Sequence, residues 1–394
     1  MKKMIALMLA VLMVLGMAAC GSKETASSDA YKLGGVGPLT GGAAIYGNAV
    51  KNAAEIAVEE INALNSGVKF ELKFEDDAHD AEKSVNAYNT LKDWGMQIFL
   101  GSVTSAPGVA TSVEAANDGI FYLTPSASST DVLGGVANPL TGTVDIARKN
   151  NVFQLCFMDP NQGSASAQYI ADKGLATKVA IIWKNDDVYS KGIRDTFVEK
   201  AAELNLAIVS DTTFADGNDT DFSVQLADAQ SNGADLVFLP MYYQPASLIF
   251  AQAAGMGYAP KWFGVDGMDG ILTMEGFDAS LAEGVMLLTP FNADAEDEKT
   301  QNFVATYQEQ FGEIPNQFAA DAYDCVYAYK QALEAAGATT DMDAATLNDL
   351  MIEQFTTMSF DGLTGDGMTW DAAGAVTKSP KGMVIENGAY VGLD

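Results

Sequence analysis

Histidine and clustered cysteine are nearly absent from this chain, and their absence argues against two large classes of enzyme. The 394 residues include one histidine, His79, and three cysteines. A Ser–His–Asp hydrolase needs a histidine beside its serine, and His79 lies in the acidic stretch EDDAHDAE, which we interpret as a solvated loop. No Cys/His cluster has zinc-site spacing. We therefore predict a protein that is not an enzyme and holds no metal; an amidase is the enzymatic alternative.

Basic residues are also scarce. The sequence holds 22 lysines and arginines against 52 aspartates and glutamates, which gives a formal net charge of -30. Such a chain is a poor partner for nucleic acid or for an anionic membrane surface. Because the acidic residues are spread along the sequence, their main effect is a well-solvated exterior.

Motifs for common cofactors are incomplete. GVGPLTG, residues 35–41, approaches a dinucleotide-binding glycine pattern, but Pro38 follows the second glycine and Thr40 stands where a third is required. No phosphate-loop lysine motif occurs. DDAHDAEKSVNA lacks the glycine and the terminal glutamate of a calcium loop. We therefore predict no cofactor.

The N-terminus has the features of a secretory signal. Two lysines precede an apolar run from Met4 to Ala19, which is short for a membrane span, and Cys20 follows. GMAAC resembles the bacterial lipobox, which implies a signal peptide over 1–19, a lipid on Cys20 and a polar tether over 20–30. An ordinary secretory signal is the alternative. The other cysteines, Cys156 and Cys325, lie in apolar stretches and are predicted to be buried free thiols; whether they pair is left open.

Short apolar runs alternate with amphipathic segments through most of the sequence. Runs such as KVAIIW and ADLVFLP are typical of strands covered on both faces. Segments such as YGNAVKNAAEIAVEEINAL carry an apolar stripe with helical spacing. This repeated βα pattern predicts parallel sheets in a layered α/β architecture, and the length indicates two domains.

Hydroxyl-rich turns follow two of the predicted strands. GSVTSAPGVA, residues 101–110, places Ser105 at a helix start with Pro107 in the first turn, and FYLTPSASSTD repeats the design. Ligands bind beyond the carboxyl ends of such strands, where unpaired helix amides favour an anion. The alternative is that these serines only cap their helices.

The order and spacing of several segments, including GVGPLTGGAAIYGNAVKNAAEIAVEEIN, LGSVTSAPGVA, LTPSASSTD and WFGVDGMDG, resemble bacterial solute-binding proteins for branched-chain amino acids. The resemblance implies the type I periplasmic-binding fold: two α/β lobes, each a mainly parallel sheet flanked by helices, joined by three crossovers. We place the crossovers near residues 153–157, 288–292 and 370–375. The N-terminal lobe is then 31–153 plus 290–370, and the C-terminal lobe is 154–289 plus 371–394.

The same resemblance implies a site for an amino-acid headgroup. Ser105 corresponds to a serine that donates to the ligand carboxylate, Ser126 to a position that offers backbone groups, and Ser128 to a hydroxyl that reaches the headgroup. Asp266 corresponds to the acid that pairs with the α-ammonium. The implied aromatic residues around the ligand are Tyr46, Tyr189 and Tyr242, with Tyr243 as the alternative to Tyr242.

The chemistry of these residues fits a zwitterion. A carboxylate entering a closed cleft loses hydration worth several kcal/mol and needs about three good donors in return. Serine hydroxyls and helix amides supply donors without a permanent cation, and Asp266 supplies a negative charge for an ammonium. A phosphate or dicarboxylate would instead require Arg or Lys, which these turns lack.

The chain departs from its apparent family in two places. Some relatives join two loops by a disulfide at positions that correspond here to His79 and Thr104, and some carry Glu where this chain has Asp266. We expect Trp183 and Tyr323 to serve in packing, whereas Asp321 is a candidate for facing the cleft.

These observations predict an extracytoplasmic, lipid-anchored binding protein that captures Leu, Ile or Val and delivers it to an ABC permease. We expect a monomer held to the cell membrane by its N-terminal lipid. The alternatives are a different small ligand, such as an aromatic amino acid, an amide or urea, and a ligand-sensing component.

Overall fold

The computed structural model describes residues 29–137 and 143–393. The predicted signal peptide and Cys20 lie outside the described residues. In the described part, no helix combines the length and apolar character that crossing a bilayer requires. Cys156 and Cys325 are both buried and unbonded, which confirms that they are free thiols.

The first sheet has five parallel strands in the order β2-β1-β3-β4-β5. The strands are β1 (Tyr31–Gly37), β2 (Phe70–Asp76), β3 (Ile98–Leu100), β4 (Phe121–Thr124) and β5 (Val152–Gln154). Its helices are α1 (Ala44–Leu64), α2 (Ala81–Trp94), α3 (Ser105–Asp118) and the short α4 (Thr130–Leu133). The two strands that precede the hydroxyl-rich turns, β3 and β4, are buried along their whole length, as their apolar sequences predict.

The second sheet has seven strands in the order β12-β11-β10-β9-β8-β6-β7. Five are parallel: β6 (Lys178–Lys184), β7 (Ala207–Phe214), β8 (Leu236–Leu239), β9 (Lys261–Gly264) and β10 (Met286–Thr289). An antiparallel hairpin, β11 (Lys381–Glu386) and β12 (Ala389–Gly392), extends the sheet beyond β10. Its helices are α5 (Asp159–Asp172), α6 (Val188–Leu204), α7 (Ser223–Ser231) and α8 (Tyr243–Met256), with a 3-10 turn at Asp266–Met268.

The chain returns to the first sheet after β10. It forms α9 (Glu298–Phe311), α10 (Gln317–Ala336) and α11 (Ala344–Phe355); α10 packs on α1, and α11 packs on β3 and β4. Since β11 and β12 then rejoin the second sheet, both α/β lobes are built from separate parts of the sequence. The two-lobed architecture of parallel sheets flanked by helices is confirmed, whereas the residue bounds of the lobes stay a prediction.

Candidate functional site

The serine-rich turns of the first lobe are tied to each other at the carboxyl ends of β3 and β4. The Thr124 hydroxyl donates to the Ser102 carbonyl (2.7 Å), and the Ser126 hydroxyl donates to the Val103 carbonyl (2.7 Å). Both hydroxyls already donate, and the Ser126 amide also donates to Thr124 Oγ1 (3.2 Å), so among the described residues only the Ser126 carbonyl is left for a ligand; its role in binding stays a prediction. Neighbouring parallel strands therefore deliver both turns to one place.

The hydroxyls of Ser105 and Ser128, also in these turns, are buried but make fewer hydrogen bonds to the described residues than the Thr124 hydroxyl does. Ser105 is the first residue of α3, and its hydroxyl accepts a hydrogen bond from the Ser129 amide (3.2 Å). The N-cap of α3 is Thr104, so the expectation that Ser105 caps the helix is wrong by one residue. Ser128 is buried and its hydroxyl has no hydrogen-bond partner among the described residues. An unpaired buried hydroxyl is costly in a core and is typical of a site that a ligand completes.

Asp266 occupies the 3-10 turn that follows β9 in the second lobe, and it is fixed on three sides. Its Oδ1 accepts the Tyr189 hydroxyl (2.5 Å), its amide donates to Gln162 Oε1 (3.2 Å), and its carbonyl accepts from Gln317 Nε2 (3.1 Å). Burial raises the pKa of Asp266 to about 6, while the hydrogen bond from Tyr189 opposes that rise. At neutral pH the carboxyl is mainly charged and can pair with a cation.

Tyrosines from both lobes surround the next residue, Gly267. Tyr46, on α1 of the first lobe, donates to the Gly267 carbonyl (2.5 Å), and the Gly267 amide donates to the Tyr189 hydroxyl (3.0 Å). A Cβ on residue 267 would lie 2.6 Å from that hydroxyl, so the close approach requires glycine. Tyr46 and Asp266 are thereby linked across the lobes.

The structure distinguishes Tyr242 from Tyr243. Tyr243 begins α8, and its amide donates to the Tyr46 hydroxyl (3.2 Å). Tyr242 stacks on Tyr189 with ring centroids 4.6 Å apart, and its buried hydroxyl has no hydrogen-bond partner among the described residues. These contacts favour Tyr242 as the ring with a free polar group near the predicted site.

His79 is half-buried and its ring contacts the second lobe, so our interpretation of EDDAHDAE as a solvated loop holds for its exposed acids but not for this ring. Its Nδ1 lies 2.9 Å from Thr104 Oγ1, and its ring packs edge-on against Tyr242 with centroids 5.3 Å apart. Burial, reinforced by the nearby Lys184 ammonium, lowers the pKa of His79 to about 4. The local sequence is polar, but the second lobe covers it. A hydrogen bond thus joins the two positions for which the resemblance implied a disulfide in other family members.

Asp159 is a site residue that the sequence analysis missed. It begins α5 just beyond β5, is 1% exposed, and its amide donates to the Ser128 carbonyl (3.1 Å). Neither carboxylate oxygen has a hydrogen-bond partner among the described residues. A Cβ on Gly192 of α6 would lie 2.9 Å from Oδ2, so the helix passes close to the acid. The sequence signal is an acid shortly after a strand, in CFMDPNQG, immediately beyond the predicted crossover at 153–157.

Three other residues considered in the sequence analysis have polar partners outside this cluster, although Asp321 lies near enough to Asp266 for their charges to interact. The Trp183 indole donates to Asp211 (2.9 Å), and the Tyr323 hydroxyl donates to Glu60 (2.5 Å), so both serve in packing as expected. Asp321 is buried and paired with Lys378 (2.6 Å), which leaves that carboxylate occupied. Two cavities of ≈ 280 and ≈ 820 Å³ elsewhere in the described structure are lined by none of the seven predicted site residues.

Ser105, Ser128 and Asp266 are all nearly inaccessible to solvent, with exposures of 1%, 1% and 4%. Asp159 joins the two halves of the arrangement, because it contacts the Ser128 backbone and lies near enough to Asp266 for the two charges to interact. Within the described ranges, no basic side chain forms an ion pair with any of these residues. The arrangement can accept a positive group and offers neutral donors to a negative one.

Comparison with known proteins identifies the family. The "Periplasmic binding protein" family model matches residues 30–386. A Leu/Ile/Val-binding protein homolog of Brucella melitensis is 28% identical over 330 residues, which cover 83% of this chain and 84% of the relative. The leucine-binding protein LivK of Thermotoga maritima superposes with a TM-score of 0.80 at 26% identity, covering 92% of this chain and 98% of that structure.

A second solved structure is the branched-chain amino acid transporter substrate-binding protein LivJ of Streptococcus pneumoniae in complex with isoleucine. It has a TM-score of 0.79 at 27% identity and covers 92% of this chain and 97% of its own. These relatives are solute-binding proteins and not enzymes, which confirms the prediction for this chain. The chain belongs to the periplasmic binding protein family.

Proposed function

We propose that this protein captures a small α-amino acid, Leu, Ile or Val, between its lobes and delivers it to an ABC permease. The main observation in support is that the two lobes contribute polar groups of different kinds to the cleft between them. Neutral hydroxyls and amides come from the turns around Ser105 and Ser128, and a buried acid, Asp266, comes from the other lobe. That division suits a carboxylate at one end of a ligand and an ammonium at the other.

Contacts across the lobes explain how binding could be linked to closure. The Tyr46 hydroxyl bonds Gly267, and the His79 ring packs on Tyr242. A ligand that bridges the serine turns and Asp266 adds contacts available only when the lobes are together, so it shifts the equilibrium toward the closed form. The lobe bounds given above and a hinge at the three crossovers are part of this proposal.

The ligand class is tested by measuring the melting temperature with all twenty L-amino acids, isobutyramide, benzoate and urea, because a ligand that binds only the folded state raises it. We expect the largest shifts from leucine, isoleucine and valine, followed by calorimetry on those three. A shift confined to aromatic amino acids, amides or urea would overturn the assignment. Hydrolysis of an amide during prolonged incubation would indicate the amidase alternative.

The membrane anchor and transport role need separate tests. We propose that Cys20 is lipidated and that the protein acts as a monomer. Cys20→Ser should move the protein from the detergent phase to the aqueous phase of a Triton X-114 partition, with unchanged amino-acid binding. Loss of labelled leucine uptake on deletion of the gene would support delivery to a permease, whereas intact uptake with a lost response to leucine would indicate a sensing role.

A further inference from the structure

Asp159 is a buried acid that finds neither a hydrogen-bond donor nor a counter-ion in the part of the chain that the structure describes. Both of its carboxylate oxygens lack a partner among the described residues. Its own helix provides none, because the amides of Asn161 and Gln162 donate to the Met158 carbonyl. A charged carboxylate without donors is strongly disfavoured in a dry site, so this geometry favours the neutral acid.

The groups that face Asp159 strengthen this preference. By element, the titratable neighbours are Asp131 on α4, Cys156 after β5, Asp187 at the start of α6, Tyr242 before α8 and Asp266 after β9. Burial is the main cause that raises the pKa of Asp159, the Ser128 hydroxyl opposes it from nearby without a well-formed hydrogen bond, and the neighbouring acids raise it further. Within residues 29–137 and 143–393, no Lys, Arg or His forms an ion pair with Asp159.

Asp266 differs from Asp159 in its donors. It accepts the Tyr189 hydroxyl and faces the side of the cleft where the proposed function places the ammonium. Two acids that interact by charge are thereby given different environments, which separates their protonation states. Asp266 is the one that can stay charged in the bound form.

An amino acid adds a second negative charge beside Asp159, because its carboxylate would lie at the Ser105 and Ser128 turns. We propose that Asp159 holds a proton in the ligand-bound form, so that capture of the zwitterion takes up about one proton from solvent at mildly basic pH. The proton comes from buffer and binds a carboxylate oxygen of Asp159, which then donates toward the Ser128 hydroxyl or the ligand carboxylate. This inference rests on the proposed function, since it needs a ligand with a carboxylate.

The test is calorimetry of the whole protein with L-leucine at pH 8 in phosphate and in Tris, two buffers with different ionisation enthalpies. The difference in observed binding enthalpy gives the number of protons exchanged. We expect uptake of about one proton per leucine, together with a Kd that rises toward about tenfold per pH unit above the pKa of Asp159 in the open form.

Asp159→Asn keeps the shape of the neutral acid and removes its proton. We expect this variant to bind leucine at pH 8 more tightly than the native protein, because it needs no proton to close on the ligand, and with no buffer-dependent enthalpy. Asp266→Asn is the matched control, an identical change at the acid proposed to stay charged, and it should lose most of the affinity. Melting curves of both variants establish folding, and the native proton count decides the question if Asp159→Asn does not fold.

The outcomes separate the two proposals. Leucine binding by the native protein without proton uptake would overturn the role of Asp159 and leave the proposed function intact. A loss in Asp159→Asn equal to that in Asp266→Asn would also overturn it, because Asp159 would then act as a charged anchor. Failure of every amino acid to bind would overturn the proposed function and this inference with it.

Discussion

The two sides of the cleft are built in different ways. On the first lobe, the polar groups belong to two turns that follow adjacent strands, and they bond to one another over 22 to 24 residues, as Ser129 does to Ser105. On the second lobe, Asp266 is held by Tyr189 and Gln162, which lie 77 and 104 residues away. The first side therefore depends on two turns at neighbouring strands, whereas the second depends on the assembly of distant elements.

This contrast predicts different responses to mutation. A group held only by the neighbouring turn can be removed with a loss limited mainly to its contact with the ligand. A group held by distant partners also positions them, so its removal affects several contacts together. The predictions below test that difference, beginning with the largest expected effect.

Removal of Asp266 should affect recognition of the ligand's ammonium group but not of its carboxylate. We expect Asp266→Ala to weaken L-leucine binding by about 100-fold, close to 3 kcal/mol, because a buried ammonium would lose its negative partner. Binding of 4-methylpentanoate, which has the same carboxylate and side chain without the ammonium, should be unchanged or tighter. Calorimetry with both compounds measures the difference, and equal losses for both would contradict the ammonium role.

Removal of the Ser105 hydroxyl should affect both compounds alike. Ser105→Ala deletes a donor to the carboxylate, and a hydrogen bond to a charged group contributes about 1.5–3 kcal/mol, so we expect a loss of about 10- to 100-fold for leucine and for 4-methylpentanoate. Ser126→Ala is the control, because that hydroxyl already donates to Val103 and should affect melting temperature more than affinity. A loss confined to leucine would place Ser105 at the ammonium end instead.

Acidification should destabilise the folded protein through His79. The pKa of His79 is about 4 in this structure, below its ordinary value of 6.5, so the folded structure favours the neutral ring. The stabilisation is present above pH 6.5 and is lost as pH falls from 6.5 toward 4, by about 1 kcal/mol at pH 5.5. His79→Gln should lack this part of the pH dependence in urea titrations. Parallel profiles for the two proteins would mean that His79 is solvated in solution.

The smallest expected effect distinguishes two neighbouring tyrosines. Tyr242→Phe removes a buried hydroxyl that has no hydrogen-bond partner among the residues described, and we expect about a threefold to fivefold loss of leucine affinity with no fall in melting temperature. Tyr243→Phe should leave the affinity unchanged, since the contact to Tyr46 uses the Tyr243 amide. A larger loss of affinity in Tyr243→Phe than in Tyr242→Phe would reverse the assignment of the facing ring.

Much of the fold was predictable because the signals are local. Apolar runs such as MQIFL and FYLT predict buried strands, and the hydroxyl-rich segments after them predict turns at helix starts. The errors have the opposite origin. His79 lies among acidic residues that predict a solvated loop, but Tyr242 of the second lobe covers its ring. Asp159 follows a strand of only three residues, and only its contact with Ser128 in the folded structure makes it a candidate site residue.

The sequence by itself determined the βα alternation and the hydroxyl-rich turns after β3 and β4, because both depend on neighbouring residues and their periodicity. It also determined that these turns contain no Lys or Arg and that the chain has a single histidine. Only the tertiary structure decided which acids and aromatic rings share the cleft. Burial and hydrogen bonding between residues distant in the sequence, such as Gln162 and Asp266, are set by sheet order and lobe closure, and these shift the pKa values of Asp159, Asp266 and His79.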